Sequence, residues 1–387
     1  MFALSLRRAL LLTSLAFAAV THASSFDCAS AVSKTEKAIC ADPDLSRLDE
    51  QLAARWRSTL AKVDDPKALK ADQRGWLKQR NQCDDLAPCL HRQYLMRLTA
   101  LEYMVKPFSW DATWQLIPWG VSEGAEITTR RQDASHIAFD ISAANGSHSG
   151  ELEGVATIEG TQARYEQGEC VLTFKALNGV MDVAQDGADF DCGAGMGVYY
   201  GGRYVASRQT VLVDYDLLTL GVAQTQRENA MLHTLLKGDY QTLLQNCGLK
   251  MNGESSEDVP NSEVSNYWVR GLPSSNAAIV MRAPNEQFWI IVLVPQAGVK
   301  PSRVTTPMLR NGKGACRTSC KPGMQVKAGK AICRWISCPD PRQSCWRPRG
   351  CETTAPQVAN KTPRISPTRG ATTTPSSTIR VIVCAAV

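Results

Sequence analysis

Between residues 33 and 101 the apolar side chains recur every three or four positions, which is the spacing of amphipathic helices. The sequence Ser33-Lys34-Thr35-Glu36 is a capping box and predicts a short first helix. Asp42-Pro43 and Asp65-Pro66 predict two further helix starts, because Asp caps a helix and proline fits the first helical position. Pro88 predicts the start of a fourth helix. Because the connections are short, we predict an antiparallel helical bundle over residues 24–106.

Four cysteines lie at the ends of these predicted helices: Cys28, Cys40, Cys83 and Cys89. A bundle of this size buries a modest core, so covalent cross-links are expected. Four cysteines allow three pairings, and the sequence does not choose among them. We favour Cys28–Cys40 and Cys83–Cys89, because both loops are short and each falls at a helix junction.

From residue 137 to 204 apolar and polar positions alternate, which is the pattern of half-buried β-strands. Such runs, separated by hairpin turn signals, predict an antiparallel meander that closes as a barrel or packs as a sandwich. Cys170 and Cys192 fall on neighbouring predicted strands with the same parity, which predicts a third disulfide. The turn signals are Asn145-Gly146, Glu159-Gly160, Gln167-Gly168, Asn178-Gly179 and Asp186-Gly187.

The rest of the middle region, residues 107–299, predicts a small α+β extension. A helical stripe runs from Leu232 to Leu244, and two apolar runs near residues 279–281 and 289–294 form a predicted hairpin. The glycine-rich stretch 190–198 is not followed by the helix start and Lys-Ser/Thr of a phosphate loop. We interpret it as a bend where strands approach closely.

The two ends of the chain differ from this globular pattern. Residues 1–23 carry Arg7 and Arg8, a short apolar run and a small residue at Ala23, which predict a signal peptide cleaved after Ala23. We therefore expect a periplasmic or secreted protein without a membrane span after cleavage, whose cysteines form disulfides. The tail, residues 300–387, is rich in Pro, Thr and Cys, and we interpret it as disordered. Translation from a shifted reading frame would explain the abrupt change of composition after Val299, and reading the other two frames would test this.

Charge is distributed unevenly among these regions. The tail holds 16 Lys+Arg and 2 Asp+Glu, whereas residues 107–299 hold 11 and 23, and residues 24–106 hold 14 and 12. The formal net charge of +6 therefore says little about the predicted globular part, whose middle region is acidic. We do not expect nucleic acid as a partner.

No catalytic or metal-binding motif stands out. The five histidines show no metal-ligand spacing and no Gly-x-Ser-x-Gly elbow occurs, so we expect no metal or cofactor, and an enzyme has no support. A hydrolase acting on the cell wall would need a carboxylate pair in a cleft, which sequence does not reveal.

Trp76 and Arg80 share one face of the third predicted helix with Cys83. These residue types are common binding anchors, which makes them a candidate binding patch. The other interpretation, which we favour, places Trp76 in the core and pairs Arg80 with an acid such as Asp49, because a buried Arg requires a partner.

The helical region contains a set of spaced motifs: Phe26-x-Cys28, Glu36-x-x-Ile39-Cys40, Leu48-Asp49-x-x-Leu52, Trp76-Leu77-x-x-Arg80-x-x-Cys83 and Cys89. In these residues it resembles the N-terminal domain of the LprI-type lysozyme inhibitor family. The resemblance implies an exported bacterial envelope protein that inhibits lysozyme or a related muramidase. The alternative is an envelope structural or interaction module that does not bind lysozyme.

Overall fold

The computed structural model describes residues 24–296 and 376–384. The predicted signal peptide with its cleavage site at Ala23, and most of the predicted disordered tail, lie outside the described residues. Within the described part, no helix combines the length and the apolar character that crossing a membrane requires.

The N-terminal region is a bundle of four helices, as the sequence predicts. Ser33 accepts a hydrogen bond from the Glu36 backbone N–H at 3.1 Å and Glu36 accepts one from the Ser33 N–H at 2.9 Å, so the capping box forms. Asp42 and Asp65 cap the second and third helices, each followed by proline in the first turn. The helices are α1 Lys34–Ala41, α2 Pro43–Leu60, α3 Pro66–Asn81 and α4 Ala87–Tyr103.

Eight antiparallel strands follow and close into a barrel, in which each strand pairs with the next and β8 returns to β1. Four of the five turn signals join consecutive strands, whereas Asp186-Gly187 ends β7 and opens a longer loop. The strands are β1 Ala112–Leu116, β2 Glu123–Arg131, β3 His136–Asn145, β4 His148–Glu159, β5 Gln162–Gln167, β6 Cys170–Leu177, β7 Val180–Asp186 and β8 Gly202–Ala206.

An α+β unit completes the described fold, as predicted. Its five-stranded antiparallel sheet has the order β13-β12-β11-β10-β9. Its elements are α5 Gln226–Leu236, α6 Asp239–Asn246, β9 Leu249–Asn252, β10 Glu263–Trp268, β11 Ala277–Arg282, β12 Phe288–Gln296 and β13 Ser376–Cys384.

Strand β13 departs from the expectation of a tail without regular structure. Residues 376–384 pair along the full length of β12, from Phe288↔Cys384 to Gln296↔Ser376. Thr, Ile and Val dominate this segment, and their β-branched side chains favour strands. The segment is only nine residues long. The polar composition of the whole tail therefore conceals its strand-forming residues.

The three predicted disulfides are present: Cys28–Cys40, Cys83–Cys89 and Cys170–Cys192. The first two give the sequential pairing in the helical bundle. The third joins the start of β6 to the loop after β7, so it fixes that loop to the barrel wall.

The helical bundle shares its core with the barrel. Leu177, Val180 and Val205 are barrel residues, yet they pack in the same buried cluster as the bundle's own Leu48 and Leu101. The barrel interior and the α+β unit have separate apolar clusters. The bundle is therefore covered on one side by strands β6 to β8.

Candidate functional site

Trp76 and Arg80, the candidate binding pair, lie in the core of the helical bundle. Each is 7% exposed. Trp76 packs edge-on against Tyr94 with ring centroids 5.5 Å apart, and the Arg80 guanidinium lies 5.5 Å from the Trp76 ring centroid. Their burial leaves neither side chain available for direct contact with a partner.

A buried polar network explains why Arg80 is tolerated there. The Tyr94 hydroxyl donates to Asp49 at 2.7 Å and accepts from Arg80 at 3.1 Å, while Arg80 and Asp49 lie 3.9 Å apart as an ion pair. The Ser25 N–H donates to the same carboxylate at 2.8 Å. Burial raises the pKa of the Tyr94 hydroxyl, so it stays a donor. This network holds the N-terminal segment, α2, α3 and α4 together, and Asp49 is the partner that the sequence suggested.

An exposed ion pair joins the two segments of the bundle that carry its disulfides. Lys34 at the start of α1 forms a 3.6 Å ion pair with Asp84 in the turn between α3 and α4. Two large apolar side chains flank this pair in sequence: Val32 is 82% exposed and Leu86 is 61% exposed. We call Val32, Lys34, Asp84 and Leu86 the cystine-end surface.

Two cross-links keep the cystine-end surface rigid. Cys28–Cys40 closes the segment that contains Val32, and Cys83–Cys89 closes the turn that contains Leu86. A rigid loop loses little conformational entropy on binding, so exposed apolar side chains on it suit a protein contact. Sequence reasoning missed Val32 and Leu86. Their signal is a large apolar residue inside a short loop closed by two cysteines.

The described residues hold no group of three His, Cys, Asp or Glu side chains arranged to bind a metal ion. A surface depression of about 590 Å³ lies at the barrel seam between β1, β2 and the end of β8. Arg130 and Arg208 border it with Thr and Ser side chains. The depression is an open and mainly polar surface.

One known protein family matches the helical bundle. Residues 28–102 match the family model described as lysozyme inhibitor LprI. The match begins at the first cysteine of the bundle and ends in α4, so it contains all four helices and both of the bundle's disulfides. The helical bundle is thus similar to an LprI lysozyme inhibitor domain, while the barrel and the α+β unit lie outside the match. Searches of curated proteins and of solved structures found no match.

Proposed function

We propose that the protein is an exported inhibitor of lysozyme or of a related muramidase, acting by stoichiometric binding. The observation that carries this proposal is the match of residues 28–102 to the lysozyme inhibitor LprI family. Three disulfides support an oxidising compartment, the periplasm or the exterior of the cell.

Within the matched region, the cystine-end surface supports this function best. It combines exposed Val32 and Leu86 with the Lys34–Asp84 ion pair, on loops that are already held in one conformation. Apolar anchors surrounded by polar groups are the usual composition of a protein interface. Trp76 and Arg80, as buried core residues, would stabilise the bundle and would not touch the partner.

The test uses the whole protein rather than the isolated bundle, because Leu177, Val180 and Val205 cover the bundle's core. We expect the wild-type protein to inhibit lysis of bacterial cells by lysozyme in a turbidity assay, and to bind lysozyme directly. Leu86→Asp places a charge in the proposed contact and should weaken binding about tenfold or more, as for an interface anchor.

The matched control is Leu212→Asp, since Leu212 is also exposed but lies after the barrel, outside the cystine-end surface. Thermal midpoints equal to that of the wild type establish that both variants fold. If the wild-type protein neither binds nor inhibits at micromolar concentration and low salt, the proposal is wrong and the envelope interaction module is the better description. Periplasmic fractionation tests export separately.

A further inference from the structure

The loop between β7 and β8, residues 187–201, exposes three large apolar side chains. Phe190 and Met196 are each 74% exposed, and Tyr199 is 53% exposed. Single exposed apolar residues are common on protein surfaces, but three in one short loop mark an interaction site. We call Phe190, Met196 and Tyr199 the apolar loop patch.

This loop is held in one conformation from within. The Cys170–Cys192 disulfide ties it to β6. The Asp189 carboxylate accepts hydrogen bonds from the backbone N–H groups of Gly197 and Phe190, and these bonds lower the pKa of Asp189. One carboxylate therefore connects the two ends of the segment that carries Phe190 and Met196.

The loop is also fixed to the hairpin of β3 and β4. The Gly195 N–H donates to the Ser149 carbonyl at 3.0 Å, and the His148 ring nitrogen Nδ1 donates to the Met196 carbonyl at 2.7 Å. Asn145 donates to the Gly197 carbonyl at 3.1 Å. The apolar side chains are thus presented on a frame that needs no ordering when a partner binds, which reduces the entropic cost of association.

The barrel wall beside this loop is acidic. Residues 140–191 contain ten Asp and Glu and two basic residues. Glu151 follows the Ser149 contact by two positions, and Glu151 and Glu153 point outward from β4 into a shallow depression of about 330 Å³ that Asp140 also lines. Asp140 lies directly opposite Glu153 in the strand register. Like charges placed opposite each other destabilise a sheet, and a cationic partner would relieve that repulsion.

We infer that the apolar loop patch and the acidic outer face of β3 and β4 together form a docking surface for a cationic protein, namely the muramidase. This inference rests on the proposed function, because it adds to the contact proposed at the cystine-end surface the electrostatic attraction that the near-neutral bundle does not supply. Many host lysozymes are basic, so the acidic face attracts and orients the enzyme while the apolar side chains provide the close contact.

The apolar half of the surface is tested with the full-length protein and lysozyme, by measuring the dissociation constant. We expect Phe190→Ala combined with Met196→Ala to weaken binding about tenfold, since anchors of this size commonly have such effects. The matched control combines Leu212→Ala with Met251→Ala, two exposed apolar residues outside the patch, and should bind as the wild type does.

The acidic half is tested by salt dependence. Glu151→Gln combined with Glu153→Gln should slow association about threefold to tenfold at low salt, with the difference vanishing at high salt as charges are screened. The control combines Glu254→Gln with Glu257→Gln, two exposed acids in the loop between β9 and β10 that remove the same net charge.

The outcomes separate this inference from the proposed function. If lysozyme binds the wild type and both barrel variants bind as their controls do, the docking surface is refuted, while the proposed function stands. If the wild type does not bind lysozyme at all, both are refuted. Weakening by the barrel variants and not by their controls establishes the surface.

Discussion

Asp72 is the carboxylate at which the helical bundle and the barrel meet. It accepts hydrogen bonds from Arg97 of α4 and, at 2.7 Å, from Arg203 of β8. The Arg97 side chain is completely buried. Asp72→Asn keeps the shape of the side chain but leaves both guanidinium groups without this negative charge. Breaking a buried ion pair from one side costs about 3–5 kcal/mol of unfolding free energy.

The lower end of that range is expected, because both arginines keep another partner. Arg203 retains Asp182, with Nε and Oδ1 2.7 Å apart, and Arg97 retains two hydrogen bonds to Gln73. A loss of about 3 kcal/mol corresponds to a fall in melting temperature of about 5 °C if the described residues unfold together, because the unfolding entropy is about 2.1 cal/mol/K per residue.

Thermal unfolding followed by tryptophan fluorescence measures this fall. The control is Glu166→Gln, which breaks the exposed Arg164–Glu166 pair, 3.0 Å apart, and should cost less than about 1 kcal/mol. If Asp72→Asn is no more destabilising than Glu166→Gln, the network does not hold the bundle to the barrel and the reasoning fails.

The same carboxylate makes stability depend on pH. Burial of Asp72 by itself would raise its pKa, but the charges of Arg203 and Arg97 outweigh burial and lower the pKa. A lowered pKa in the folded state contributes stability that is complete above the unfolded-state value of about 4. That contribution is lost as the pH falls below this value toward the folded-state pKa. The wild type should therefore lose more stability than Asp72→Asn below about pH 4.

Urea denaturation measures the free energy of unfolding of three further variants. Replacing Cys83 and Cys89 together by Ala should cost about 2 kcal/mol, because the bridge closes a short loop, and a reducing agent should then have less effect than on the wild type. Gly179→Ala should cost about 1–3 kcal/mol, since the added methyl group would overlap the Tyr103 carbonyl oxygen, whereas Gly124→Ala meets no atom and serves as the control. Tyr94→Phe should cost about 1.5–3 kcal/mol, because it removes the hydroxyl between a buried carboxylate and a buried guanidinium; a near-zero cost would contradict the network.

The local features of the fold were predictable because they depend on neighbours in sequence. The helix starts at Asp42-Pro43 and Asp65-Pro66 need only a capping side chain and a fixed φ angle, both visible in the sequence. The turn at Asn178-Gly179 was predictable for the same reason, since Asn178 adopts a positive φ of 49° there.

Two features that join residues about ninety or more positions apart were not predictable. Barrel closure depends on the pairing of β1 with β8, about ninety positions apart, and the weak pattern of two five-residue strands does not specify it. The contact of Asp72 with Arg203 likewise joins a helix to a strand across the shared core. The candidate surfaces were missed because exposure of Leu86 and Phe190 is a property of the assembled fold, and hydrophobic patterning assigns such residues to the interior.

The shared core also sets an order of events during folding. A chain that emerges N-terminus first presents all four helices before Leu177, Val180 and Val205, the barrel residues that cover the bundle, have been made. In that interval the bundle has an uncovered apolar side, a state in which chaperones and proteases act on nascent chains. The four cysteines of the bundle all precede residue 90, so both of its bridges can form early. The disulfides then tie the N-terminal segment to α1 and the turn after α3 to α4, until strands β6 to β8 are made and cover the core.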